Sequence, residues 1–267
     1  MHLRAAAVAP QAEQAARRLA EAAGAAASDA DVGQLVGEMY QHIADSAREI
    51  ANTALRLAAG ECGGGYHSAS SIVSNALSAI SSMLWQERDR TTRKRFVETL
   101  TRYAGGDLRT TYASIPLFAA HLEGSTDSAK KKLGREMRVM MLPPLDDQIV
   151  TGEDVDVDCD RLVLRYPQLE KRAVRKLSYA NLLYEQVRCG LVHTYSLRES
   201  TVPFPLTERK AFVSYVNSAI PGTPTKLIHF HFEWMLELLL TVADNVARMT
   251  HLPLSEPAQW WTDGAET

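Results

Sequence analysis

The sequence predicts an all-α protein, a bundle of amphipathic helices, on three observations. Apolar residues recur at steps of three and four along most of the chain, strand and helix signals do not alternate, and no period of roughly 20 to 50 residues repeats. The 267 residues are 46% hydrophobic, ample for a packed core, so disorder is not expected.

The organisation expected is an Ala-rich N-terminal helix or tail over 1–30, a helical domain over 31–251 and a C-terminal tail over 252–267. Residues 5–27 have high helix propensity but little apolar bulk to bury. Behind Asp29 or Asp31 as a cap, Val32, Leu35, Met39, Ile43, Ala47, Ile50, Ala54 and Leu57 form a helical stripe that Gly60 ends. The run Gly63-Gly64-Gly65 follows a helix rather than a strand and lacks the Gly-Lys-Ser/Thr ending of a phosphate-binding loop, so it predicts an inter-helix loop.

A second helix fits Ser70 to Gln86. Glu87 to Arg95, a stretch of five basic residues against two acids, leads into a helix carrying Phe96, Val97, Leu100 and Tyr103 that Gly105-Gly106 breaks. Such a run is ordinarily a solvated helix face, with RNA contact as the sharper alternative. Shorter helices are expected around Leu108 to Leu122, interrupted at Pro116, and over Ser128 to Met141, stopped by Pro143-Pro144.

Residues 145–165 differ in character. Seven acids alternate with Val150, Val155 and Val157, which permits a short strand or hairpin, but the acid density favours an exposed loop insertion. A calcium loop does not fit, because the Gly and Glu positions of an EF-hand are not filled. Pro167 then opens the cleanest helical pattern, with Leu169, Ala173, Leu177, Ala180, Tyr184, Val187 and Leu191 in one stripe running to about Leu197. A shorter helix is expected over Thr207 to Ser218, a turn at Pro221-Gly222-Thr223-Pro224, and a last, centrally buried helix from Leu227 to about Met249.

Composition removes several functions. Lys plus Arg at 29 against Asp plus Glu at 32 gives a formal charge of −3, so no global positive field draws the protein to nucleic acid or anionic lipid. RNA or DNA contact must therefore use a local basic cluster. Cys62, Cys159 and Cys189 are odd in number and far apart, which argues against a disulfide framework or a zinc site. Reduced thiols suggest a cytoplasmic protein. The start Met1 to Pro10 is too weakly apolar for a secretory signal, and Phe230 to Ala243 is interrupted by two glutamates and too short to span a bilayer, so no membrane association is expected. No cofactor or metal is expected either. His229 and His231, read as two apart on a helix, point nearly opposite ways and predict core or interface histidines. Trp260 and Trp261 pin the tail or meet a partner.

The chemistry concentrates in Tyr184-Glu185-Gln186-Val187-Arg188-Cys189-Gly190-Leu191-Val192-His193-Thr194-Tyr195. Gly190 inside a helix costs about 1 kcal/mol relative to Ala, which points to close backbone approach or a local distortion. His193 lies five residues beyond Arg188, about 140° round and about 7.5 Å along an ideal helix. One straight helix brings the two groups together only if the side chains lean, the helix breaks at Gly190 or a second copy contributes. On spacing alone, an Arg188 ion pair with a bundle acid and a partly buried His193 account for the same residues.

The string Leu182 to His193, with Arg188, four intervening residues and then His193 late in a helix, resembles the HEPN superfamily of α-helical bundles. The surroundings of the string agree in outline over about residues 32–250, with additional helices. The resemblance implies a metal-independent endoribonuclease, often found in toxin and antitoxin pairs or antiviral defence, in which two protomers share a cleft. In that setting His193 is general acid or base and Arg188 holds the scissile phosphate. Tyr184, Tyr195 and Arg198 are candidates for contacts to the RNA, each with a structural role as the alternative. Implied partners are RNA, a second copy of the chain and an antitoxin or regulatory protein. One departure stands out: Cys189 follows the arginine where active members often carry Asn, Asp or His. It favours a rival assignment, a non-catalytic HEPN-like module that binds a nucleotide, an RNA or a protein.

Overall fold

The computed structural model describes residues 29–61, 63–84, 92–141, 150–189, 212–217 and 226–248. The Ala-rich segment before Asp29, Cys62, residues 85–91, Gly190, His193, Tyr195, Arg198 and the tail with Trp260 and Trp261 lie outside the described residues.

The fold is mostly helical, as the periodicity predicts. Helix α1 (Asp29–Ala58) buries Tyr40, Ile43, Ala47, Ala51 and Ala54 along one side. Its small residues allow α2 (Tyr66–Leu84) and the C-terminal helix to approach closely. Helix α3 (Thr92–Tyr103) sets Phe96, Val97 and Leu100 into the same core. Later in the chain come α4 (Ile115–Glu123) and α5 (Ser128–Met141), packed as a hairpin, then short helices α6 (Gly152–Val155), α7 (Cys159–Arg165) and α8 (Lys171–Lys176). Helix α9 (Tyr179–Leu182) continues as a π-helical segment, Leu183–Arg188. The last helix, α10 (Phe232–Ala247), packs on α1, α2 and α3 and buries Trp234, Leu238, Leu239, Val242 and Val246.

Two small sheets complete the fold. Strand β1 (Tyr112–Ala113) pairs antiparallel with β3 (Val157–Asp158). Strands β2 (Val150–Thr151), β4 (Val213–Asn217) and β5 (Lys226–Phe230) form an antiparallel sheet in the order β2-β4-β5.

Several sequence expectations are corrected here. The segment expected as a helix over Thr207 to Ser218 contains β4 instead. The expected last helix begins at Phe232 rather than Leu227, because Lys226–Phe230 is β5. The alternation explains the strands: Val213 and Tyr215 face Phe230 and Ile228 in the core, a period of two that a helical search reads as scatter. The stripe from Pro167 to Leu197 is not one helix. Ser178 is extended (φ −69°, ψ 153°), bridges to Ala113, and its hydroxyl caps the next helix at Asn181 N, so the stripe stays largely buried across a break. Pro116 does not interrupt a helix but sits in the first turn of α4, capped by Ser114. The 145–165 segment is not simply an exposed acidic loop: it includes β2, α6, β3 and α7, and it buries Val150, Val155, Asp156 and Cys159.

Candidate active site

Asp156 gathers the polar core. Its Oδ1 accepts from Ile115 N at 2.8 Å, and its Oδ2 accepts from Tyr179 Oη at 2.5 Å and from Tyr215 Oη. The Tyr215 hydroxyl also lies 2.9 Å from Ser114 Oγ. Burial drives the Asp156 carboxyl up to about 7, against the pull of the two tyrosine hydroxyls and the amide. This knot ties β4, the start of α4 and the start of α9 to one atom pair. Gly152 permits it, since a Cβ there would collide with Tyr179 Oη.

Tyr179 opens the helix that carries the predicted site. The chain leaves α-geometry at Leu183 and stays π-helical to Arg188, while Gly190, where the sequence predicts a distortion, lies outside the described residues. A π-segment re-aims side chains by inserting a residue into the ladder, and such segments recur at functional sites. Here Tyr184 packs on Phe96 (ring centroids 5.4 Å), and the Arg188 guanidinium lies over the Tyr184 ring at 5.3 Å. Arg188 Nε is buried and donates to no acceptor. Arg93, from α3, reaches the same place: its Nε donates to Asn181 Oδ1 at 3.0 Å and its guanidinium pairs with Glu185 at 2.5 Å. Burial raises the Tyr184 hydroxyl, Cys189 raises it further, and the positive charges of Arg188 and Arg93 pull it down.

The described structure thus brings Tyr184 and Arg188 together and adds Arg93 and Cys189. Glu185, three residues before Arg188, is paired with Arg93. Residue-by-residue spacing gave no sign of Arg93, which lies 95 positions away; the basic stretch ending at Arg95 was the signal.

His229 lies in β5 and His231 follows it as the extended N-cap of α10, so the two positions share a face and their ring centroids are 4.8 Å apart. His231 Nε2 lies 2.6 Å from Ser214 Oγ, whereas His229 Nδ1 is buried without a partner. Burial and the neighbouring ring push His229 down to about 4, and burial lowers His231. Both are core histidines. Among the described residues no group of three His, Cys, Asp or Glu is placed to hold a metal ion. A cleft of about 670 Å³ opens between the α4–α5 hairpin and Gln168 to Ala173, away from Arg188 and Tyr184. No helix among the described residues is long and apolar enough to cross a membrane.

In comparisons with known proteins, no family model, no curated protein and no solved structure matches this chain.

Proposed function

We propose that the chain is a HEPN-like endoribonuclease that cleaves RNA without a metal ion, working in the cytoplasm as a homodimer within a toxin and antitoxin pair or an antiviral defence system. The observation that carries this is the Arg188 guanidinium, held against Tyr184 at the end of a π-helical segment with a buried Nε that no protein acceptor satisfies. A buried donor left unpaired costs about 1 to 3 kcal/mol, and a phosphate oxygen supplies the charge-assisted acceptor that removes this cost.

His193, five residues on, is the proton carrier. It takes the proton from the 2′-hydroxyl as the 2′-oxygen attacks phosphorus. The bond from phosphorus to the 5′-oxygen breaks, that oxygen gains a proton, and a 2′,3′-cyclic phosphate remains. Arg188 binds the non-bridging oxygens, where charge grows in the transition state. The site helix is anchored at its start by the Asp156 knot and beside Arg188 by Arg93. Tyr195 and Arg198 are the further RNA contacts in this proposal.

A second assignment, a non-catalytic RNA or nucleotide binder, is favoured by one residue, the Cys189 thiol immediately after Arg188. Incubation with structured and unstructured RNA in EDTA, beside Arg188→Ala and His193→Ala variants, separates the two. Cleavage that survives EDTA and is lost in both variants supports the nuclease. Binding without cleavage by the unaltered protein supports the binder, and variants that behave as the parent in both assays remove both.

A further inference from the structure

Arg109 is the one non-Gly residue at positive φ among the described residues, with φ 53° and ψ 27°. Glycine is the residue suited to such a backbone, and Gly105, which opens the same turn, has φ 79°. An arginine there is strained, and strain of this kind concentrates at ligand clamps. Hydrogen bonds hold the turn along its length. The Leu108 carbonyl accepts from Trp234 Nε1 at 3.0 Å, the Arg109 carbonyl from Tyr112 N at 2.9 Å and the Thr110 carbonyl from Ala180 N at 3.0 Å.

The Arg109 guanidinium lies over two rings, Tyr112 at 5.1 Å and Phe212 at 5.8 Å, which are themselves set against Tyr179 and Trp234 of the aromatic core. Arg109, Tyr112 and Phe212 are each half-buried. The N–H groups of a guanidinium lie in its plane, so contact with a ring face leaves them available. Among the described residues neither these donors nor the Tyr112 hydroxyl has a hydrogen-bond partner, and no acid pairs with Arg109. Asp107, two residues before, is exposed, and Glu153 accepts on Oε1 from the Phe212 amide at 2.8 Å.

We infer that Arg109, braced on Tyr112 and Phe212, is a binding site for a phosphate monoester, carried by a small molecule or by the 5′ end of an RNA strand. The guanidinium fork offers two parallel N–H bonds and Tyr112 adds a hydroxyl, so the donors match the three terminal oxygens of a phosphate rather than the two of a carboxylate. No internal ion pair has to break when the anion enters. Because the turn and both rings are already held in place, binding has little left to order. The inference does not depend on the reaction assigned to Arg188.

The test follows the thermal midpoint of the full chain carrying Arg188→Ala, which removes the proposed phosphate contact of the cleavage site and leaves RNA uncut. Uridine 5′-monophosphate, uridine and succinate are titrated beside a hexauridylate with or without a 5′-phosphate. The phosphorylated probes are expected to raise the midpoint progressively with concentration, and the others to leave it unchanged. Adding Arg109→Gln is expected to weaken that binding at least about tenfold, and Arg109→Lys, which keeps the charge but loses the fork, several-fold. Arg109→Gly relieves the backbone strain, so it is expected to stay folded while losing the response. A response confined to the mononucleotide assigns a small phosphorylated ligand, and one that includes the 5′-phosphorylated strand assigns an RNA end; either bears out the site. No response to any phosphorylated probe, an equal response to uridine, succinate or the unphosphorylated strand, or a response that survives Arg109→Gln and Arg109→Gly overturns it.

Discussion

Asp156 and Arg188 each bring a charge-bearing group inside the protein surface, yet their surroundings differ in kind. The Asp156 carboxyl is fully buried and accepts two hydroxyls and an amide from three separate elements. Arg188 is half-buried, stacks on one ring and keeps a buried Nε without an acceptor. A saturated buried network contributes to stability and fixes geometry. A buried donor nitrogen with no protein acceptor adds no hydrogen bond to the fold and is open to an acceptor on a ligand. The difference teaches that a polar cluster is assigned by its satisfaction as much as by its residue types.

Breaking the first half of the comparison has the largest expected effect. Asp156→Ala leaves Tyr179 Oη, Tyr215 Oη and Ile115 N without their acceptor, and is expected to cost about 3 kcal/mol in urea unfolding. Gly152→Ala drives a methyl into the same hydroxyl from outside the network, and about 2 kcal/mol is expected by the same measurement.

The next effect is on pH dependence. Because burial raises the folded Asp156 to about 7, its contribution is fully present below the ordinary carboxylate range and is lost as pH rises through about 7. Asp156→Asn removes that titration. Between pH 5 and 7, as reference values for the buffers, the stability gap between parent and variant is expected to move against the parent by up to about 1.4 kcal/mol per pH unit. His229 runs the other way: its folded value, lowered to about 4, makes its contribution complete above the ordinary histidine range and lost as pH falls toward 4. His229→Gln is therefore expected to lessen acid destabilisation, read from thermal midpoints at pH 5 against pH 7.

The smallest effect on stability sharpens the other half. Arg188→Ala removes a side chain that satisfies no buried acceptor through Nε, so a change of less than about 1 kcal/mol is expected. A loss comparable to that of Asp156→Ala makes Arg188 a structural residue.

Much of the helical frame was legible, because α1, α2, α3, α5 and α10 each bury a stripe of period near 3.6 that local pattern reveals. The β4–β5 hairpin was not, since Val213, Tyr215, Ile228 and Phe230 signal their period of two only once paired. The break at Ser178 was hidden for a related reason: apolar spacing continues across it, and only the bridge to Ala113 reveals the extended residue. At the site, Arg188 and Tyr184 were visible as neighbours on one helix. Arg93 and Asn181 were not, because what makes them relevant is a set of hydrogen bonds between elements distant in sequence. Asp156 was lost among seven acids that composition alone made equivalent.

Joint action of Arg188 and His193 on one RNA phosphate is read most directly from the chemical nature of the cut ends. RNA cleaved in EDTA by the unaltered protein is expected to carry 2′,3′-cyclic phosphate on the upstream fragment and a free 5′-hydroxyl on the downstream one, with the rate at least a hundredfold lower for Arg188→Ala. Fragments ending in a 5′-phosphate, or cleavage that Arg188→Ala leaves unchanged, contradict it.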